Sequence, residues 1–404
     1  MKEKRFSKVG MFEGHPKWEK AISRAISLSQ KPYDLRTVFE RDYTRILHGS
    51  AYRRLKHKTQ VFYATKNDHI CTRIEHVNHV ASVSHIVANH LGLNTDLTKA
   101  IATGHDLGHA PFGHIGEKIL SKITEKEIGF SFWHEKNSLK LVDKIETLEN
   151  SHGKHTNLFL TYATRDGIVS HCGEVDENGL KPRKEAIELS QIKKANEYAP
   201  FTWEGCIVKI ADKISYLGRD IEDALRLGLL TYEQLTELKE ILSINLSEIN
   251  NTNLVYKFTA DLCKNSSPER GICFSEEGFE LINQIKEFNY KNIYFHGRLL
   301  NFNKYAELII NSLYSTLDRL YDSTITIEKL QFSLHHYPKL IQNFIAWLIK
   351  YSNIELEQKK NERYENKTIY DITQKKDYKT AIIDFIAGMS DQFVIELYEE
   401  LIRF

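Results

Sequence analysis

The chain has 404 residues, 41% of them hydrophobic and 27% charged, an ordinary balance for a globular protein with a large core. Its 55 Lys and Arg against 54 Asp and Glu leave a net charge of +1, so no global field points to nucleic acid or an acidic surface, although local basic clusters can still hold phosphates. Five cysteines (Cys71, Cys172, Cys206, Cys263, Cys273) are scattered without a CxxC pair, which argues against a thiolate zinc site or a disulfide framework and fits a reducing compartment.

The N-terminal stretch "MKEKRFSKVGMFEGHPKW" lacks the apolar run of a secretory signal, and no segment of about 18 apolar residues exists to span a membrane. The expectation is a cytoplasmic protein without a membrane contact. Only seven prolines, with long stretches rich in Leu, Ile, Glu and Lys, favour helix over sheet, so the fold class is all-α.

In chain order, 34–55 reads as one helix with Asp34 as N-cap and Leu35, Val38, Phe39 and Ile46 at helical spacing. A second helix spans 72–92, started by Thr72 with Glu75 and stopped at Gly92. Further helices are expected over 95–107, 114–127, 134–148, 185–196 and 203–227. Segment 150–182, with Gly153, Gly167, Gly173 and Gly179, reads as a loop-rich excursion carrying one short helix. From 231 onward come more amphipathic segments, and the Asn- and Lys-rich stretch 352–368 is expected to be exposed or mobile. No repeat and no clean linker divides the chain. The expected organisation is therefore a helical core over 30–230 with a C-terminal helical extension over 231–404.

Ten of the eighteen histidines fall between His57 and His134. His76 shares a stripe with Val80, Val83 and Val87, which turns it toward the core. His105 and Asp106 sit at a helix end broken by Gly108 and Pro111, where neighbouring side chains can converge. Asp212 follows Ile207, Val208, Ile210 and Ala211, a costly place for a lone carboxylate. Two imidazoles and two carboxylates suit one borderline or hard divalent ion: Mn, Fe, Ni, Mg or Zn. Each piece alone has a bland reading: a hydrogen-bonded core histidine, a chance dipeptide, a cap. The ordered set His, His-Asp, Asp, each on a helix that otherwise takes apolar residues, is what points to a metal.

The stretches "FERDYTRILHGSAYRRLKHKTQVF", "DHICTRIEHVNHV", "LTKAIATGHDLGHAPFGHIGE", "FWHEKNS", "IVKIADKISYLGRDIEDA" and "DFIAGMSDQFVIELYEEL" occur in one order from about residue 35 to 400. In these the chain resembles the HD-domain superfamily and, within it, the deoxyguanosine triphosphate triphosphohydrolases. One departure is Ala110, where many members carry Pro, a backbone matter without chemical consequence. The resemblance implies an HD-domain fold with His76, His105, Asp106 and Asp212 as metal ligands and His134 as catalytic histidine. It places Glu117, Glu135, His109 and His114 around His134. Arg53, Arg73 and Lys213 match phosphate contacts, Arg298 less closely, and Gln60, Tyr216 and Asp220 match residues around a deoxyribose.

The implied reaction is hydrolysis of a deoxynucleoside triphosphate to deoxynucleoside and inorganic tripolyphosphate. The resemblance also implies a homo-oligomer and leaves open a nucleotide activator. Two alternatives stand beside it: another HD-type nucleotide phosphohydrolase, or a non-catalytic regulator that binds nucleotide or single-stranded DNA on the same scaffold. The near-neutral charge lends the second no support.

Overall fold

The structure is a computed structural model that describes residues 3–28, 33–63, 67–150, 152–171, 177–243, 250–354 and 364–403. Seventeen α-helices run along the described chain. The first nine are α1 (Trp18–Ile22), α2 (Val38–His48), α3 (Ser50–Arg54), α4 (Arg73–Leu91), α5 (Thr95–Gly104), α6 (Gly113–Ile128), α7 (His134–Lys140), α8 (Tyr162–Ser170) and α9 (Trp203–Arg226). The remainder are α10 (Tyr232–Leu242), α11 (Asn251–Asn265), α12 (Glu276–Asn289), α13 (Gly297–Asp318), α14 (Thr326–Ser333), α15 (Pro338–Tyr351), α16 (Lys375–Ala387) and α17 (Asp391–Ile402). The only sheet among the described residues is a hairpin of two three-residue strands, β1 (Thr147–Glu149) and β2 (His155–Asn157), antiparallel with Leu148 opposite Thr156. The all-α expectation holds.

Helix α4 is the central rod. Glu75 reaches back to accept the Thr72 backbone N–H at 2.8 Å, and Gly92 ends the helix in the left-handed conformation at φ 90°. Its Val77, Val80, Val83 and Val87 are buried, each contributing roughly 1.5–3 kcal/mol of apolar burial. That burial holds α4 against α5 and α9 and sets His76 in the same packed face. Around this trio, α2 covers α5, α8 packs on α5, α7 and α9, and α11 lies against α4 and α9. The C-terminal helices close the other side: α13 and α16 pack on α6, and α15 and α17 pack on α16 and α13 respectively. Ion pairs stitch them to the first half, Lys140 with Asp384 and Lys379 with Glu127.

Several sequence expectations need correction. The segment 34–55 is two helices, because the chain is extended at Gly49 (ψ 149°) and restarts at Ser50. Asp34 caps neither. Thr37 does, accepting the Glu40 N–H at 3.1 Å, while Asp34 pairs with Arg36 and Arg41 and Leu35 is 95% exposed. The helix expected over 134–148 ends as α7 at Lys140, continues as one wider π turn over Leu141–Ile145, and gives way to β1. Over 185–196 only a single 3₁₀ turn forms, Leu189–Gln191. There Glu188 takes the Ser190 N–H, Glu197 takes the Lys193 N–H, and Asn196 adopts φ 57°. Segment 150–182 does carry one short helix, α8. Residues 355–363 lie outside the described residues; in their flanks Asn353, Glu365, Lys367 and Thr368 are exposed, while Ser352, Ile354 and Asn366 are buried. Cys172 also lies outside them, and the other four cysteines are free and buried.

Candidate metal centre and active site

Helix α5 stops at Gly104, and His105 and Asp106 occupy the turn that follows, so their side chains escape the divergence of a helix interior. The Ser138 hydroxyl from α7 donates to His105 O at 2.7 Å and accepts the Gly108 N–H at 2.8 Å, pinning that turn. Gly108 is required there: a Cβ would stand 2.1 Å from Ser138 N and 2.3 Å from His134 O. The absence of that Cβ lets the His-Asp turn lie directly on α7.

His76 Nε2 and Asp212 Oδ1 face each other at 2.9 Å between α4 and α9. His105 Nε2 lies 3.9 Å from Asp212 Oδ1 and 3.7 Å from Asp106 Oδ1. The ligand atoms of His76, His105 and Asp212 all fall within 4.8 Å of one another, as do those of His105, Asp106 and His171. His105 is common to both sets and links His76 and Asp212 to Asp106. Nδ1 of His105 donates to Ala102 O at 2.6 Å, so its Nε2 is the bare nitrogen, and it is buried without a hydrogen-bond partner. An orphaned buried polar atom costs about 1–3 kcal/mol. A bare imidazole nitrogen beside two carboxylates fits a divalent cation. Burial works against charge on Asp106, but His109, Arg73 and His105 outweigh it and hold the carboxyl well below its usual range. For Asp212 burial is likewise overcome, by His76 above all, and its pKa is about 2. Both remain anionic donors.

Arg73, the first residue of α4, is 1% exposed and bonds Asp106 Oδ2 through Nη1 at 2.8 Å. Its Nε and Nη2 have no partner among the described residues, which leaves two donors for an anion. Gly113, at φ 54°, makes room: a Cβ would come 2.8 Å from Nη2.

A second constellation borders the first. His109 binds Asp106 Oδ1 through Nε2 at 2.9 Å and stacks on the His134 ring at 3.8 Å between centroids. Glu117 on α6 accepts the His134 backbone N–H at 3.2 Å and faces its Nδ1 at 3.0 Å. Glu135 lies 3.4 Å from the same nitrogen and is buried with neither oxygen hydrogen-bonded. Burial opposes charge on His134, but Glu135 and Glu117 prevail and lift its pKa to about 9. His114 is at the rim, its side chain 70% exposed and 3.5 Å from Glu117.

The remaining predicted residues divide. Asp220 is buried on α9 and accepts the Tyr294 hydroxyl at 2.6 Å, Lys213 is buried one residue after Asp212, and Tyr216 packs half-buried against the core. Gln60 turns a buried, unpartnered Oε1 inward. Arg53 is exposed and bonds only its neighbour His48 O, at 3.4 Å, while Arg54 is held by Glu146 at 3.2 Å. Arg298 is exposed near the start of α13. The structure brings neither Arg53 nor Arg298 into contact with the metal-ligand cluster.

The HD domain family model matches residues 73–217, the span from Arg73 into the helix carrying Asp212. A deoxyguanosinetriphosphate triphosphohydrolase-like protein of Caldanaerobacter subterraneus is 31% identical over 379 residues, 94% of this chain and 89% of that one. The chain belongs to this family. Proteins of the same description from Pelagibacter ubique and Rickettsia felis are each 31% identical, covering 90% and 94% of this chain and 92% and 95% of their own. The chain is thus an HD-type phosphohydrolase with His and Asp clusters that could hold a metal. No helix among its described residues is long and apolar enough to cross a membrane.

Sequence reasoning missed four contributors to the site. His171 closes α8 beside His105, with its Nδ1 on Ile168 O at 2.7 Å; burial, then the neighbouring His105 and His134, push its pKa down to about 3. Lys58, fully buried, donates to His109 O and Ala387 O. Asp391 accepts the Phe112 N–H at 2.9 Å, and Tyr294 meets Asp220. Lys58 stands between His57 and Thr59, and Asp391 between Ser390 and Gln392, so their immediate neighbours gave no signal. Nothing in the sequence marked His171.

Proposed function

We propose that the chain hydrolyses deoxynucleoside triphosphates to deoxynucleoside and inorganic tripolyphosphate. The observation that carries this reading is the adjacency of two different devices: a bare His105 nitrogen among carboxylates, and a charged, doubly buttressed His134 stacked on His109. His76, His105, Asp106 and Asp212 would hold one divalent ion, Mn or Mg. When bound, such an ion neutralises charge at an α-phosphoryl oxygen and lowers the pKa of a coordinated water.

The chain's own groups supply the rest. Water forms a new bond to the α-phosphorus and the bond to the 5′-oxygen breaks. His134 gives its proton to that departing oxygen, tripolyphosphate leaves with the water's oxygen, and the proton shed by the water is balanced by reprotonation of His134 from solvent. A histidine with pKa about 9 holds that proton at neutral pH, and Glu117 and Glu135 stabilise the charge until transfer. The spare donors of Arg73, with Lys213, neutralise phosphate, Arg by bidentate geometry and Lys as a point charge. Arg53 and Arg298 reach substrate only by side-chain movement from their exposed positions. Tyr216, Asp220 and Gln60 read the deoxyribose, with Tyr216 excluding a 2′-hydroxyl.

The family relationship supports this substrate class through the relatives' names. We also expect a cytoplasmic homo-oligomer, which sedimentation tests, and a nucleotide activator, which mixed substrates test. The deciding experiment incubates purified protein with each dNTP alone and in mixtures, with Mn or Mg, and resolves the phosphate products. Intact tripolyphosphate is expected. Release of orthophosphate or pyrophosphate instead, or turnover only of nucleoside monophosphates or cyclic nucleotides, overturns the reading.

A further inference from the structure

We propose that His171 is a further ligand of the metal centre, a third imidazole beside His76 and His105. The inference rests on the chain's metal dependence and not on which nucleotide it cleaves.

Two helices end side by side here. His105 is the C-terminal cap of α5 and His171 the C-terminal cap of α8, and α5 packs on α8. Each ring is anchored in the same way, Nδ1 donating to the carbonyl three residues back: Ala102 O at 2.6 Å for His105, Ile168 O at 2.7 Å for His171. That bond fixes the tautomer and leaves Nε2 as a bare lone pair, the arrangement that a backbone carbonyl gives to metal-ligating histidines. The two rings meet edge to face at 4.9 Å, 79° apart. Helix C-termini carry partial negative charge from unpaired carbonyls, so two of them converging favour a cation between.

His171 is 2% exposed, and its ring is held through Nδ1 on Ile168 O. Ligand atoms of His105, Asp106 and His171 lie within 4.8 Å of one another, close to the roughly 4.2 Å that separates opposite ligands across an ion with bonds of about 2.1 Å. The neighbouring group of His134, Glu135 and His171 has the same tightness, so His171 stands where the metal cluster and the His134 cluster meet. Three imidazoles with two carboxylates shift preference toward a borderline ion such as Mn over Mg.

The test is metal binding itself. Wild type, His171→Ala and His171→Gln are stripped with chelator and titrated with Mn, free ion being read by its paramagnetic resonance signal. Asp106→Ala serves as the reference for a lost ligand. Mn affinity should fall about 10- to 100-fold in both His171 variants, and the visible band of the Co-loaded protein should shift. A residue that only packs would leave that band unmoved, and matching melting temperatures of the stripped proteins show that the fold survives. Wild-type Mn affinity with an unchanged Co band in either folded variant overturns the assignment. Failure to release tripolyphosphate from any dNTP would reject the substrate reading while leaving this one intact.

Discussion

Glu117 grips His134 at two points, its Oε1 accepting the backbone N–H at 3.2 Å and its Oε2 facing ring Nδ1 at 3.0 Å. One carboxylate thereby sets both where α7 begins and what its first side chain does. The ring's Nε2 is the nitrogen that Glu117 does not engage.

The proton on His134 has a defined pH window. Its folded pKa, about 9, lies above the unbonded 6.5, so its contribution to stability is complete below 6.5 and is lost as pH rises through 9. With His134 as proton donor, kcat should fall on an alkaline limb near that value. Glu117→Gln removes one supporting carboxylate, and the limb should move to lower pH. A limb that stays in place in the variant would remove Glu117 from this role.

Removing Asp106 deletes a donor and strands Arg73, which is buried and bonded to it. Asp106→Ala should lose bound metal and activity, and in chelator-treated protein cost about 3–5 kcal/mol, as buried charges left unpaired do. His134→Ala should keep its metal and lose most turnover. Metal analysis and urea unfolding check both, and full activity in Asp106→Ala would dismiss the metal reading.

Asp391, the first residue of α17, accepts three bonds: Thr59 N–H at 3.0 Å, Thr59 hydroxyl at 2.7 Å and Phe112 N–H at 2.9 Å. Phe112 sits at φ 62°, a conformation that a bulky residue resists, and it leads into the helix bearing Glu117. Asp391→Ala should therefore destabilise by about 2–3 kcal/mol and lower kcat roughly tenfold with little change in KM. Asn, which retains one acceptor, should recover part of kcat. Equal kcat in wild type and Asp391→Ala would show that the turn holds itself.

Asp220 is a carboxyl pushed up to about 7 by burial, against the pull of the Tyr294 hydroxyl. Its folded pKa exceeds the ordinary 3.8, so the folded state binds the extra proton between these values and the residue's contribution declines as pH rises from about 4 to 7. Asp220→Asn should flatten the melting temperature over that interval. An unaltered slope would mean the carboxyl is solvated.

Tyr216 lies four residues before Asp220 on one face of α9. Wild type should prefer dGTP to GTP, and Tyr216→Ala should narrow the difference. Equal turnover of both by wild type would reject the tyrosine as the sugar filter.

What the chain order revealed was whatever a helix repeats locally. The stripe of Val80, Val83 and Val87 announced α4 and the inward His76, and the apolar run before Asp212 announced a carboxylate that needed a partner. Both follow from the period of 3.6, which links residues a few positions apart. Contacts without a period stayed hidden. Gly49 split an apparently continuous helix, side chains of Glu188 and Glu197 took backbone donors over 185–196, and His171 lay in a segment with no apolar rhythm. Asp391 and Phe112 are 279 residues apart, a meeting that only packing of α17 against the core could produce. The amino-acid order by itself indicated helical class and family, and it offered histidines and aspartates fit for a cation. Tertiary structure alone decided which nitrogen of each histidine is bare, which carboxylate braces His134 and which arginines stay in solvent, because tautomer, charge and burial are properties of neighbours in space.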